Sequence, residues 1–311
     1  MTGHPPTAAD IEGAAERIRG RVRRTPVIDI SADIDELGGT PLLLKLELLQ
    51  HTGSFKVRGA FNRVLTAGSP PLLVAASGGN HGLAVAYVAQ RLGLRAEIFV
   101  PATAPTVKVD GIRSMRAQVS LIGTSYAEAL AASTERAERS GGLMVHAYDC
   151  TEVVAGQGTV GRELEQQAPD IDTVLVATGG GGLIGGIAAW WSGRAQVVSV
   201  EPHGAPTMHA ALAAGEPVDV AVDSIAADSL GARRVGAPGF AAATRAGVVP
   251  VLVTDDDIRR ARRLLWTRLR IAAEPGGATA LAGLESGAYR PEPGERVAVV
   301  VCGGNASPVD L

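Results

Sequence analysis

The sequence predicts an α/β protein of two domains, with mostly parallel sheets flanked by helices. Three observations carry that prediction. From about residue 70 onward, apolar runs of strand length alternate with helical stretches. The 39 glycines concentrate just after those runs, where an α/β protein places its ligand-binding turns. The strand-like runs are themselves apolar on both faces, as strands of a covered parallel sheet are. A chain of 311 residues also suits about two domains.

The elements follow in order. Residues 8–22 read as an amphipathic helix, with Ile11, Ala14, Ile18 and Val22 on one stripe. Residues 42–48 form a short strand, followed by a polar turn over 51–56. A compact α/β unit comes next: strand 72–76, the turn SGGNHG over 77–82 and helix 83–91, then strand 96–100 and a helix beyond Thr106. It continues with strand 119–122, a helix from Ser125 to about Arg139, and a fourth strand over 143–146. The pattern then restarts. Strand 173–177 leads into TGGGGLIGG and a helix, strand 196–200 into EPHGAP, and strand 296–302 into GGN. A helix from Asp255 to about Leu269 opens on three aspartates, which suit the positive end of its dipole. The expected division is a small domain over 71–146 and a large cofactor-binding domain built from 1–70 plus 147–311. No internal repeat or low-complexity tract appears.

Composition narrows the function. A net charge of −3 and only 4% aromatic residues leave no electrostatic or stacking reason to expect nucleic acid or an anionic membrane as partner. The short arginine clusters (19–24, 259–263, 268–270) lie on or beside helices and read as solvated faces. Two cysteines, Cys150 and Cys302, make neither a disulfide framework nor a zinc site unaided. No apolar run is long enough to span a bilayer, and the N-terminal stretch has no apolar leader core, so the cytoplasm is the expected location.

The turns carry the chemistry. In parallel sheets, ligands bind outside the carboxyl ends of the strands, so four glycine-rich turns there can converge on one cleft. Gly179, Gly180, Gly181 and Gly182 follow a strand and open a helix, which lets backbone N–H groups approach a phosphate. The tract has no Gly-Lys-Ser/Thr ending, which argues against a nucleoside-triphosphate loop. Lys56 sits in HTGSFKVRGA beside Phe55, and a desolvated lysine serves as nucleophile or base. Asn80 and His81 can hydrogen-bond a ring oxygen or a carboxylate.

Together these tracts resemble the fold-type-II pyridoxal-phosphate enzymes, and most closely the serine/threonine dehydratase and serine racemase family. The resemblance begins at RTPVIDIS and runs through KLELLQHTGSFKVRGAFN, SGGNHG, AGQGT and VATGGGGL to EPGGA and CGGN, in the family's order. It implies a tryptophan synthase β-like fold with pyridoxal 5′-phosphate held as an imine on Lys56, which also removes the Cα proton. It implies a phosphate site made by Gly179, Gly180, Gly181, Gly182 and the Leu183 amide. Phe55, Asn80, Glu274 and Cys302 are implied as further cofactor contacts, Asn80 at the ring hydroxyl and Cys302 beside the pyridine nitrogen. Backbone amides of Ser77, Gly78, Gly79, Asn80 and His81 are implied to cradle the carboxylate of a small amino-acid substrate. A homodimer is implied too.

The resemblance points to elimination of water from a small L-β-hydroxy amino acid such as threonine or serine, giving a 2-oxo acid and ammonia. A serine-type racemase on the same scaffold is the alternative, as is a dehydratase of 3-hydroxyaspartate or the hydroxyectoine pathway. The family's racemases carry a serine two residues before the loop asparagine, where this chain has Gly78. Some relatives bind a divalent cation through two carboxylates; Glu201 matches the first, and Thr207 stands at the second, so no metal is expected and Thr207 is expected to partner Glu201. The segment 228–240 is expected to border the substrate side chain, with Arg233 or Arg234 available to a second carboxylate. With no module after residue 311, feedback inhibition is not expected.

Overall fold

The structure is a computed structural model that describes residues 4–31 and 41–306. Residues 1–3, 32–40 and 307–311, which the sequence reading assigns to the larger domain, lie outside the described residues. Helix α1 (Ala8–Ile18) is capped by Thr7 and leads to strand β1 (Val27–Asp29), strand β2 (Leu42–Lys45) and helix α2 (Lys56–Thr66). Then come β3 (Leu73–Ala76), α3 (Asn80–Leu92), β4 (Ala96–Val100), α4 (Thr106–Ser114), β5 (Gln118–Leu121), α5 (Tyr126–Ser140) and β6 (Leu143–Met144). Helix α6 (Thr151–Gln167) is followed by β7 (Thr173–Ala177), α7 (Gly182–Trp191), β8 (Gln196–Pro202), α8 (Thr207–Ala214), α9 (Ala227–Leu230) and α10 (Ala237–Ala246). The last elements are β9 (Val249–Val253), α11 (Asp255–Leu269), α12 (Pro275–Glu285) and β10 (Val297–Val300).

The strands form two sheets. A six-stranded sheet has the order β1-β2-β10-β7-β8-β9, parallel throughout except for the antiparallel edge strand β1. A four-stranded, all-parallel sheet has the order β5-β4-β3-β6. Both are covered by helices, as parallel sheets must be. In the smaller sheet, Leu73 and Ala75 join α3 in one core while Val74 and Ala76 join α5 in another, the two-residue period of a strand with helices on both sides. In the larger sheet the valines of β10 and β7 are wholly buried.

The structure departs from the sequence reading in several places. The first helix stops at Ile18: Arg19 leaves helical geometry and Gly20 turns with φ +72°. Val22 is carried beyond the helix and packs on the second core from a loop. Strand β2 ends at Lys45, and a tight helical turn over Glu47–Leu49 follows. Strands β1 and β9 and helices α2, α6, α8, α9, α10 and α12 have no counterpart in the reading. Strand β9 contains Pro250 and takes the sheet edge, where a missing N–H costs no ladder bond.

Helix α6 explains AGQGT. A Cβ on Gly156 would lie 2.6 Å from Gly59 Cα of α2, and one on Gly158 would lie 2.9 Å from the Gly186 carbonyl of α7. The Gly59 amide also donates to Gln157 Oε1 at 3.2 Å. The motif presses α2 and α7 onto one helix. Those two helices carry Lys56 and the end of the glycine loop.

Candidate active site

Lys56 is the first residue of α2. Its approach is pinned to the end of β10, because Ser54 bridges Gly303 and the Phe55 amide donates to the Cys302 carbonyl at 3.3 Å. The Lys56 amine donates to the Ala147 carbonyl at 3.1 Å and lies 5.1 Å from the centre of the Phe55 ring. Burial pushes its pKa down to about 8, against the opposing pull of the Glu274 carboxylate. An amine so placed is a better base and nucleophile near neutral pH than an exposed lysine.

The glycine loop leaves β7 at Ala177 and enters α7 at Gly182. Gly181 is the N-cap with φ +84°, a left-handed conformation in which a side chain would be strained. No side chain caps this helix, so the first-turn N–H groups, Leu183 among them, face outward without an intrahelical partner. Such an end attracts a phosphate. Gly180 and Gly182 lie against Tyr148: a Cβ on Gly180 would come within 2.3 Å of the ring, and one on Gly182 within 3.0 Å of the tyrosine Cβ. Tyr148 follows Ala147, the acceptor of the Lys56 amine, so the lysine, this tyrosine and the loop are contiguous. Sequence reasoning missed Tyr148; its one signal was an aromatic seven residues ahead of AGQGT.

A polar chain closes the far side. Asn80 begins α3 and donates from Nδ2 to Glu274 Oε1 at 2.6 Å, while its Oδ1 accepts from Asn305 Nδ2 at 2.7 Å. Nδ2 carries a second N–H for a ligand. Glu274 is buried at the N-cap of α12, and burial raises its pKa to about 7. Cys302, also buried, donates to the Gly276 carbonyl at 3.5 Å. Burial first, and then the Glu274 charge, lifts its pKa to about 12, so it stays a neutral thiol.

The loop after β3 is partly committed to the protein itself. The Ser77 amide donates to the Phe99 carbonyl at 3.0 Å, and the Gly79 amide donates to Ser77 Oγ at 3.1 Å. Of the five amides expected at a carboxylate, those of Gly78, Asn80 and His81 remain as candidates, the last two at the uncapped start of α3. The His81 ring turns away: Nε2 lies 2.7 Å from the Val145 carbonyl, and burial lowers its pKa to about 3. Because a carbonyl only accepts, Nε2 carries the proton of a neutral imidazole. A Cβ on Gly78 would stand 2.9 Å from Val100 Cγ1.

Two further expectations are corrected. Glu201 is not partnered by the Thr207 hydroxyl, which donates instead to the Ala232 carbonyl at 2.9 Å. The Glu201 carboxylate accepts from the Met208 and His209 amides, at 2.7 and 2.8 Å, and closes the start of α8. Among the described residues, no group of three His, Cys, Asp or Glu side chains is placed to hold a metal. Of the two arginines expected at a second carboxylate, Arg234 is instead committed outward, to Asp219 at 2.8 Å and the Pro217 carbonyl at 2.8 Å, while Arg233 is exposed.

The start of the 228–240 segment packs against three of the site's glycines. A Cβ on Gly79 would lie 3.6 Å from the Asp228 carbonyl oxygen, one on Gly276 2.1 Å from Ser229 Oγ, and one on Gly179 2.8 Å from Leu230 Cα.

A lysine with a lowered pKa, joined through Tyr148 to an uncapped glycine helix start and with a neutral buried thiol nearby, fits a phosphate-bearing aldehyde cofactor. These features define the site of a pyridoxal-phosphate enzyme. The chain belongs to the family described as pyridoxal-phosphate dependent enzyme, whose profile matches residues 18–303. It is 37% identical to an L-threonine ammonia-lyase of Geobacter sulfurreducens, over 95% of this chain and 74% of that one. It is 36% identical to phenylserine dehydratase of Ralstonia pickettii, over 96% and 93% of the two chains. Among solved structures, maize serine racemase superposes with a TM-score of 0.91 at 29% identity, covering 99% of this chain and 95% of that one. Serine racemase of Dictyostelium discoideum superposes with a TM-score of 0.88 at 32% identity, covering 97% and 99%. The chain is a pyridoxal-phosphate-dependent lyase of α/β fold. No helix among its described residues is long and apolar enough to cross a membrane.

Proposed function

We propose that this chain is a dehydratase that eliminates water from a small L-β-hydroxy amino acid, threonine or serine, to give a 2-oxo acid and ammonia. The observation that carries the reading is an asymmetry. Lys56 offers a base on one side of the site, while position 78, opposite it in the family's racemases, is a glycine with no proton to give. A proton transfer needs a group within hydrogen-bond reach, so deprotonation is served and reprotonation from the other face is not.

In this reading Gly179, Gly180, Gly181, Gly182 and the Leu183 amide hold the cofactor phosphate. Phe55 and Tyr148 would flank the cofactor, Asn80 would hold its ring oxygen, and Cys302 would be the neutral partner of its pyridine nitrogen. The bound cofactor supplies an electron sink that acidifies the Cα–H bond. Lys56 takes the Cα proton, the amides of Gly78, Asn80 and His81 orient the substrate carboxylate, and Glu274 fixes Asn80. The Cα–H and Cβ–OH bonds break and one water leaves; the released enamine then takes up one water and gives ammonia and the 2-oxo acid. No oxidant or reductant is needed. A neutral thiol at Cys302 leaves the ring nitrogen without an anionic partner, which favours prompt elimination.

We place the cofactor between a small lobe, 71–146, and the remainder of the chain, which works as a cytoplasmic homodimer; the family resemblance supports this arrangement. The test is an assay for ammonia and 2-oxo acid across serine, threonine, phenylserine and 3-hydroxyaspartate with the holoenzyme. Turnover of threonine or serine supports the reading. Release from none of them sinks it.

A further inference from the structure

Helix α9 is a single turn, and its last three residues each rest on a glycine of a different site loop. Asp228 lies on Gly79, Ser229 on Gly276 and Leu230 on Gly179. The turn is therefore wedged between the loop after β3, the start of α12 and the glycine loop after β7. From the smaller sheet, Lys108 of α4 reaches across and pairs its amine with the Asp228 carboxylate. Side-chain exposure is 30% for Lys108 and 55% for Asp228, so small molecules can reach the pair. Both charges also act on buried Glu274, Asp228 raising its proton affinity and Lys108 lowering it, which puts them within electrostatic reach of the Asn80–Glu274 contact.

We propose that the Lys108–Asp228 pair sets the substrate class of the site, admitting β-hydroxy amino acids with uncharged side chains and discriminating against those with a second carboxylate. The inference rests on the dehydratase reading above. A substrate whose α-carboxylate is held at the loop of Gly78 and Asn80 has its side chain near the wall that α9 forms over that loop. An uncharged group there leaves the ion pair intact. A second carboxylate must either pull Lys108 from Asp228 or sit beside the Asp228 charge, and both cost free energy. Asp228→Asn keeps the shape, removes the anion and releases Lys108 to receive a carboxylate. Lys108→Gln does the reverse and leaves Asp228 uncompensated.

The test uses the holoenzyme and two ratios. One is kcat/KM for L-threo-3-hydroxyaspartate over L-threonine. The other is the equilibrium affinity for L-aspartate over L-2-aminobutyrate, which lack the leaving hydroxyl, measured by calorimetry. The wild type should favour the uncharged member of each pair. Asp228→Asn should move both ratios about fivefold toward the dicarboxylate, the scale of one partly screened charge, and added salt should shrink the shift. Lys108→Gln should move them the other way. Ratios in Asp228→Asn that stay within about twofold of wild type overturn the proposal, since a partly screened charge should exceed that. A wild type that prefers the dicarboxylate overturns it too. If Asp228→Asn does not fold, the sign of the Lys108→Gln shift decides. Binding ratios that shift as expected, in an enzyme that releases ammonia from no hydroxy amino acid, would support this inference and sink the dehydratase reading.

Discussion

Arg58 and Glu47 meet as a buried two-point ion pair, Nε to Oε2 at 2.8 Å and Nη2 to Oε1 at 2.7 Å, two residues along the chain from Lys56. Glu163 of α6 receives Arg58 at 3.1 Å and Lys45 at 2.6 Å, and Thr25 closes the network on Glu47 at 2.5 Å. Removing Glu47 leaves two buried cations, Arg58 and Lys45, to share the one carboxylate of Glu163, and a buried charge left without its counter-ion costs about 3–5 kcal/mol. Glu47→Ala should lower the unfolding free energy of the protein by that much, as denaturant titration can measure. A value under about 1 kcal/mol, the scale of an exposed pair, would show that water reaches Arg58.

Lys56→Ala should abolish the covalent attachment of cofactor, its visible absorbance and turnover together. Borohydride treatment followed by peptide mass analysis should place the adduct of the wild type on Lys56. An adduct found on another lysine would move the assignment.

The same residue gives a pH signature in the cofactor-free protein. Its amine is protonated and unreactive below its folded pKa of about 8, and free above it. The rate of cofactor attachment should rise through about pH 8 and then level. A lysine in water would keep gaining up to its ordinary value of about 10.4. Stability follows the same sign: between the folded and unfolded values the unfolded chain binds the extra proton, so this group makes the protein more stable as pH rises across that window. Lys56→Met should remove that part of the slope.

Cys302→Ser keeps a neutral, weakly hydrogen-bonding group and should leave turnover within about threefold, the scale of a modest change in one neutral hydrogen bond. Cys302→Asp should damage it heavily, since a carboxylate beside the pyridine nitrogen favours the protonated ring. It would also lie close to Glu274, whose charge already acts on position 302. Equal rates for the two variants would mean that residue 302 does not meet the ring nitrogen.

The wild type should convert L-threonine to 2-oxobutanoate with little D- or allo-isomer, as chiral chromatography can measure. Gly78→Ser alone should not recover isomerisation, because its Cβ would press on Val100 Cγ1. Relief by Val100→Ala in the same chain is the arrangement that should allow a hydroxyl there. Isomer appearing in the wild type as fast as the oxo acid would return the racemase reading.

The sequence was most legible where local and tertiary preferences agree. Strands β4 and β7 and helix α11 end where periodicity places them; α11 begins where the aspartate run suited a helix dipole, and Thr254 and Asp257 also cap it reciprocally. The glycine loop and Lys56 were legible because one tract each supplies the chemistry. Helix α6 was not. Gly156, Gly158 and Gly161 lower its propensity, and their use lies in contacts with α2 and α7 that no window of the sequence contains. Tyr148 escaped for a related reason, since its partners Gly180 and Gly182 are more than thirty positions away. Thr207 was misplaced because standing where relatives have a second carboxylate does not say which carbonyl a hydroxyl will choose.

Helix α6 also acts as a shared datum. The helix that Lys56 opens and the helix that the glycine loop enters both bear on it through close backbone contacts, at Gly156 on one side and Gly158 on the other. Both parts therefore take their position from the one helix, and the gap between them is set by the width of its glycine contacts. Catalysis depends on that gap more than on the absolute position of either part. Gly156→Ala would push on α2, and Gly158→Ala on α7 and also on Ile11 of α1, so that either would alter the gap.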